Sequence, residues 1–187
     1  MAIALIVEDG TGVAGANTYV ALADYGAYAE AHLYADAYTA ATDDRKNRSL
    51  VMAARTIDSQ VQFVGRRATI GQALEWPRTL SAGRQGVLAY GFIPGQNWSP
   101  MTFDGELIPR LLKQAQCELA IGLLGRDRTA DPDSAGIKRL NLGQQAIEVE
   151  FDATTVPAML PPIVLAMLSR LGEVRGKSGN VPVIRVQ

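Results

Sequence analysis

The chain has one cysteine, Cys117, and one histidine, His32. A lone cysteine excludes an internal disulfide framework and any multi-cysteine metal site. A lone histidine with no cysteine near it makes a metal site or a catalytic dyad improbable, so His32 reads as a satisfied surface or boundary residue. No run approaches the eighteen or so consecutive apolar residues of a membrane-spanning helix. The apolar start, Met1 to Val7, lacks a basic flank and runs into Glu8-Asp9, unlike a signal peptide. The expectation is an intracellular or assembly-borne protein with no membrane contact. A Walker-type loop, H-E-x-x-H, G-x-S-x-G, an EF-hand loop and a Cys/His cluster are all missing. We therefore expect no enzyme activity, no cofactor and no metal.

What is present is an ordinary globular composition, 48% hydrophobic and 20% charged over 187 residues, enough for one domain with a core and extended arms. Net charge is −1, but unevenly spread. Residues 1–44 hold seven acids and no Lys or Arg, whereas residues 45–113 hold ten bases and four acids. An acidic front and a basic middle suit head-to-tail association of identical subunits or a weak polyanion contact, and equally suit charges solvating different faces of one fold.

The stretch Leu74-Glu75-Trp76-Pro77-Arg78 organises the reading. Pro77 keeps Trp76 out of the helical region, and the large indole favours burial. We expect Trp76, Pro77 and Arg78 to anchor a non-helical crossing onto a helical body. Before it, residues 3–8 read as a short strand. Gly10-Thr11-Gly12-Val13-Ala14-Gly15 then matches the G-x-G-x-x-G dinucleotide fingerprint literally. Three features oppose that reading: Glu8 and Asp9 sit where phosphates would approach, no helix opens at the glycines, and no second β-branched run follows to complete a βαβ unit. Residues 21–32 and 43–61 read as helices, the second from Leu50, Ala53, Ala54, Ile57 and Val61. Arg45, Lys46, Arg48 and Arg55 line that helix, with Arg66 and Arg67 beyond it, as the best surface for a polyanion or an acidic partner.

Residues 81–105 form a long Gly/Pro-rich loop that holds Phe92, Trp98 and Phe103. Disordered linkers are poor in aromatics, so the loop reads as an interaction arm. Residues 106–124 carry the clearest helix, ending at Gly125. Residues 136–142 and 145–151 read as a β-hairpin around Gly143-Gln144. Pro161-Pro162 opens a last helix, after which Gly172, Gly176 and Gly179 loosen the chain into a C-terminal arm, residues 176–187, with Val183, Ile184 and Arg185 placed to meet a partner. The fold class is mainly α (α+β): a bundle of about four helices, a short hairpin, a long loop and two terminal arms.

Four stretches resemble a known family: Val7 to Gly12 with Ala16-Asn17-Thr18-Tyr19; Gln72 to Arg78; Ile108-Pro109 through Ala115 with Glu118-Leu119-Ala120; and Gly136-Ile137-Lys138 through Ile147-Glu148-Val149. They look like the tailed-phage head–tail adaptors, many of which bear the automatic label of DnaT-like single-stranded-DNA-binding protein. The chain departs from that pattern in the length of residues 81–105 and in having Tyr38 where a Trp is expected. The resemblance implies a structural ring, typically of twelve copies, in the virion neck. That ring would form in the host cytoplasm, join the portal protein to the next neck or tail component, and surround the genomic DNA. The interface candidates are Arg66 and Arg67 from the basic cluster, Phe92, Trp98 and Phe103 from the loop, and Val183, Ile184 and Arg185 from the C-terminal arm. The alternative is a single-stranded-DNA-binding module using the basic stretch 45–113.

Overall fold

The computed structural model describes residues 3–81, 98–100, 102, 105–126, 137–142, 147–151 and 159–175. Among the described residues, five helices and small antiparallel sheets make a mixed α+β fold, as the sequence predicts. The helices are α1 (Leu22–Glu30), α2 (Asp36–Thr39), α3 (Asp43–Gln60), α4 (Arg110–Gly125) and α5 (Pro162–Leu168). The strands are β1 (Val61–Phe63), β2 (Arg66–Arg67), β3 (Arg78–Ser81), β4 (Trp98–Pro100), β5 (Ile137–Leu142), β6 (Ile147–Phe151) and β7 (Gly172–Val174).

Helix α3 starts where the side chain of Thr42 accepts from the Arg45 N–H, with Asp43 and Asp44 in the first turn against the helix dipole. Its apolar stripe, Leu50, Ala53, Ala54 and Ile57, is fully buried. It packs against α4, which presents Leu112, Ala115 and Leu119, and α4 packs in turn on α5 through Val164 and Leu168. Helix α4 opens at Arg110 rather than at Glu106. Pro109 disfavours helical geometry at Ile108 and itself serves as an extended N-cap.

Gln116, in the middle of α4, is fully buried and joins three segments. Its Nε2 donates to Thr18 Oγ1 (2.7 Å) and to the Leu50 carbonyl (2.9 Å), and its Oε1 accepts from the Tyr19 N–H (3.0 Å). This docks the N-terminal segment on the bundle. Residues 3–8 do not form the expected strand; a single parallel bridge joins Val7 to Thr18. The segment available as a partner is too short, because Tyr19 and Val20 turn into the core and lead directly into α1.

The hairpin β5–β6 lies as predicted, with Leu142 opposite Ile147. Two sheets are absent from the sequence-based expectation. Strand β1 pairs antiparallel with β7, Phe63 opposite Gly172, so Gly172 closes a sheet instead of loosening the chain. A Cβ at position 172 would meet the Gln62 carbonyl oxygen and lie 2.8 Å from Phe63 Cα, and only glycine fits so close an approach. The other sheet has the order β2–β3–β4. Its strand β4 belongs to the predicted loop 81–105 and pairs with β3 on this same chain, Trp98 opposite Ser81.

Candidate nucleic-acid interface

Trp76 is fully buried, its ring edge-on to Phe63 at 6.0 Å, and the Trp76–Pro77 peptide bond is cis. Arg78 is 7% exposed and spends all its donors within the fold. Its Nε donates to the Val64 carbonyl (2.7 Å), and its Nη2 to the carbonyls of Phe63 (3.2 Å) and Gly65 (2.6 Å). Its Nη1 donates to the carbonyl (3.1 Å) and Oε2 (2.7 Å) of Glu75. The guanidinium fork thus clamps the β1–β2 turn to the crossing segment. Gln72 adds a second clamp, its Nε2 donating to the carbonyls of Leu74 and Pro77. Trp76, Pro77 and Arg78 are all buried where this non-helical segment leads from β2 into β3.

The outer side of this anchor forms one wall of a cleft of about 360 Å³, with Leu74 and Glu75 facing Val51, Arg55 and Asp58 of α3, and Arg67 of β2 beside them. Asp58 is tied to the far wall. Tyr19 Oη donates to its carboxylate (2.8 and 2.9 Å to the two oxygens), and the Glu75 N–H donates to Oδ2 (3.1 Å). Tyr19 Oη in turn accepts from the Glu75 and Trp76 N–H groups. Glu75 Oε1 accepts from Arg67 Nη2 (2.7 Å) and Nε (3.1 Å), so Glu75 stands between Arg78 inside and Arg67 outside.

Burial sets the electrostatics. It pushes the Asp58 carboxyl up to about 6, against partial relief from the Tyr19 and Glu75 hydrogen bonds. It also raises the Tyr19 phenol, helped by the Asp58 charge. For Glu75, burial pushes upward, but the bonds and charges of Arg67 and Arg78 outweigh it and hold the carboxyl below its ordinary value. Arg78 is lowered by burial, partly offset by Glu75. At neutral pH the cleft therefore holds two carboxylates on its inner wall. Two guanidinium groups stand further out, Arg55 on the exposed face of α3 and Arg67 with its side chain 41% exposed. Arg55 makes no ion pair or hydrogen bond with the described residues.

The other predicted cations are differently placed. Arg48 pairs with Asp44 (2.7 Å), Lys46 lies over the Tyr38 ring and near Asp43, and Arg45 reaches the Leu124 carbonyl at the end of α4. Arg66 and Arg67 oppose Thr79 and Arg78 across β2–β3, and the pleat sends their side chains to opposite faces, with Arg67 on the cleft. Trp98 belongs to the same sheet by its backbone. Phe92, Phe103, Val183, Ile184 and Arg185 lie outside the described residues. Periodicity gave no sign of Tyr19 and Asp58, which meet across 39 positions.

The glycine-rich turn is not an open phosphate cradle. Glu8, 1% exposed, places Oε1 on the Gly10 N–H (3.0 Å) and the Gly12 N–H (2.8 Å), so the chain's own carboxylate fills the anion position. His32 sits at a boundary, Nε2 toward Glu118 (3.3 Å) and Nδ1 accepting from the Tyr34 N–H. Among the described residues no group of His, Cys, Asp and Glu could hold a metal ion, and no helix is long and apolar enough to cross a membrane.

A model of the family described as "Putative DnaT-like ssDNA binding protein" matches residues 3–186. No curated protein and no solved structure matches the chain. The family match corrects the resemblance to phage head–tail adaptors. It covers nearly the whole chain and describes a single-stranded-DNA-binding protein, with nothing of a head–tail connector in it. The portal, the next neck protein and the ring of twelve rested on that resemblance and find no support in the match. DNA is the partner class that the match favours.

Proposed function

The chain belongs to the DnaT-like single-stranded-DNA-binding family, and from that premise we propose a DNA-binding module, not an enzyme, that holds single strands along the outer edge of the α3–β2 cleft. The observation that carries this reading is the pairing of Arg55 and Arg67 at one opening, the first with no partner among the described residues and the second with one N–H on each of Nε, Nη1 and Nη2 engaged, by Glu75 Oε1 and the Gln72 carbonyl, and two left over. Guanidinium groups bind phosphates through planar, paired N–H donors, and such contacts supply most of the affinity for single strands. The described aromatic rings of the core, Tyr19, Tyr25, Phe63 and Trp76, are too buried to serve as a stacking platform, and Tyr34, though 76% exposed, does not line the cleft, so charge carries the binding there. Two polar side chains of the cleft serve bonds within the fold. Ser59 Oγ donates to the Thr56 carbonyl, and Glu75 is held as a carboxylate by two arginines.

Fluorescence anisotropy of a labelled oligonucleotide, titrated at several salt concentrations, tests this. Binding should weaken with salt, and Arg55→Ala and Arg67→Gln should each lower the log–log slope by about 0.7, the share of one phosphate on a single strand. Absence of binding at low salt, or an unchanged slope in the double variant, overturns the proposal.

A further inference from the structure

The cleft is built for more than a backbone contact. Its volume of about 360 Å³ lies at the small end of the roughly 300–1,000 Å³ of ligand pockets, a size for one nucleotide unit rather than a strand. Val51, Ala73 and Leu74 give it an apolar part of its lining. Its inner wall is anionic, with Asp58 and Glu75, and repels a phosphate; the cations stand outside. A phosphate held by Arg55 or Arg67 would leave its base facing the cleft.

The acceptor count at Asp58 is unbalanced. A carboxylate offers about four acceptor positions. Tyr19 has one hydroxyl hydrogen to share between the two oxygens, and the Glu75 N–H takes a place on Oδ2. Oδ1 has Tyr19 as its only donor among the described residues and keeps capacity for another, and Asp58 lines the cleft. With its carboxyl at about 6, Asp58 is ionised at neutral pH and can only accept.

Resting on the DNA-binding reading above, we propose that this cleft takes one base bearing an exocyclic amino group, cytosine in preference to thymine, with Asp58 Oδ1 accepting the amino N–H. Thymine presents a carbonyl oxygen at the corresponding place, which would face the carboxylate with no hydrogen between them. Cytosine N4 supplies the missing donor. The Tyr19 hydroxyl and the Glu75 N–H are positioning groups that fix the carboxylate.

The test uses the whole chain with oligodeoxycytidylate and oligothymidylate of equal length at neutral pH and low salt. The parent protein should bind the cytosine strand about tenfold more tightly, the share of one good base contact. Asp58→Asn makes a sharper demand. The amide oxygen must stay on the Glu75 N–H, so its NH₂ turns to the Oδ1 position and becomes a donor. The preference should then vanish or reverse toward thymine, whose O4 accepts. Ala73→Leu, which narrows the cleft from its exposed side, should remove the preference and leave the salt slope intact. It serves the same purpose if the Asn variant fails to fold. Equal binding of both strands by the parent, or a cytosine preference that persists in Asp58→Asn, overturns the base pocket and leaves the DNA-binding module standing. If neither strand binds, both readings fall together.

Discussion

Arg78→Lys keeps the charge of the buried anchor and removes its geometry. The guanidinium has five N–H donors, and the structure gives each a partner: the carbonyls of Phe63, Val64, Gly65 and Glu75, and Glu75 Oε2. An ammonium has three donors radiating from one point, so at least two partners lose their bond. Each buried acceptor left without a donor costs about 1–3 kcal/mol. Arg78 is 7% exposed, so water cannot substitute cheaply. We expect Arg78→Lys to destabilise by about 2–4 kcal/mol. Arg78→Ala should reach about 3–5 kcal/mol, because it also leaves the Glu75 carboxylate without its buried countercharge. Urea unfolding followed by far-UV circular dichroism reads this directly. With a slope of about 1–3 kcal/mol per molar urea, the Lys variant should lose on the order of 1–2 M from its midpoint at unchanged slope. A midpoint within about 0.3 M of the parent would show that charge, rather than the fork, holds the β1–β2 turn, and the account of the anchor would fail.

Trp76→Ala should cost about 3–5 kcal/mol, since a fully buried indole packed on Phe63 leaves a large cavity; a variant as stable as the parent in urea would remove Trp76 from the core. Gly172→Ala should cost about 1–3 kcal/mol by pushing β7 off β1 at Gln62 and Phe63, and an unchanged melting temperature would refute that close approach. Asp58 gives a pH dependence. Its carboxyl sits at about 6 folded against an ordinary 3.8, so the folded state holds the proton more tightly, and stability falls as pH rises from about 4 to about 6 by about 3 kcal/mol in all. Asp58→Asn removes that fall and should match the parent near pH 4 but exceed it near pH 7; parallel stability–pH curves would contradict it.

The parts legible in the sequence are those whose signal is local. Leu50, Ala53, Ala54 and Ile57 repeat at helical spacing, and α3 follows; Ile147, Val149 and Phe151 alternate, and β6 follows. Trp76-Pro77 announces a buried non-helical crossing because two residue types with strong local consequences stand together. The pairing of β1 with β7 is not local. Gly172 in isolation reads as a flexible residue, and only the backbone of Gln62 and Phe63, far away in the chain, explains why a glycine stands there. The cleft is illegible for the same reason. Asp58 lies at the edge of the apolar stripe of α3, where periodicity does not decide its burial, and Tyr19 and the Glu75 N–H cover it. Arg67 was picked out by its charge alone, and its selection over Arg66 comes from strand alternation against β3. The glycine turn was legible in part. An acid immediately before it argues against phosphate, and Glu8 proves to occupy the very N–H groups a phosphate would need.

The anchor and the cleft share Glu75, and the sharing separates structural from functional polarity. Oε2 and the carbonyl of Glu75 face Arg78 and serve the fold; Oε1 and the N–H face Arg67 and Asp58 and shape the cleft. Gln116 shows how this chain joins buried segments when only joining is required: a neutral amide satisfies a hydroxyl, a carbonyl and an N–H at once. An amide at position 58 could likewise hold the Tyr19 hydroxyl and the Glu75 N–H, without the cost of desolvating a charge that lifts the Asp58 carboxyl to about 6. The aspartate thus carries a stability cost at neutral pH that its internal hydrogen bonds do not require. What it has that an amide lacks is a wholly accepting face toward the cleft. A charge retained against its own burial cost, at the wall of a cleft flanked by two arginines, is accounted for by a donor on the ligand, and that donor is what the cytosine and thymine strands distinguish.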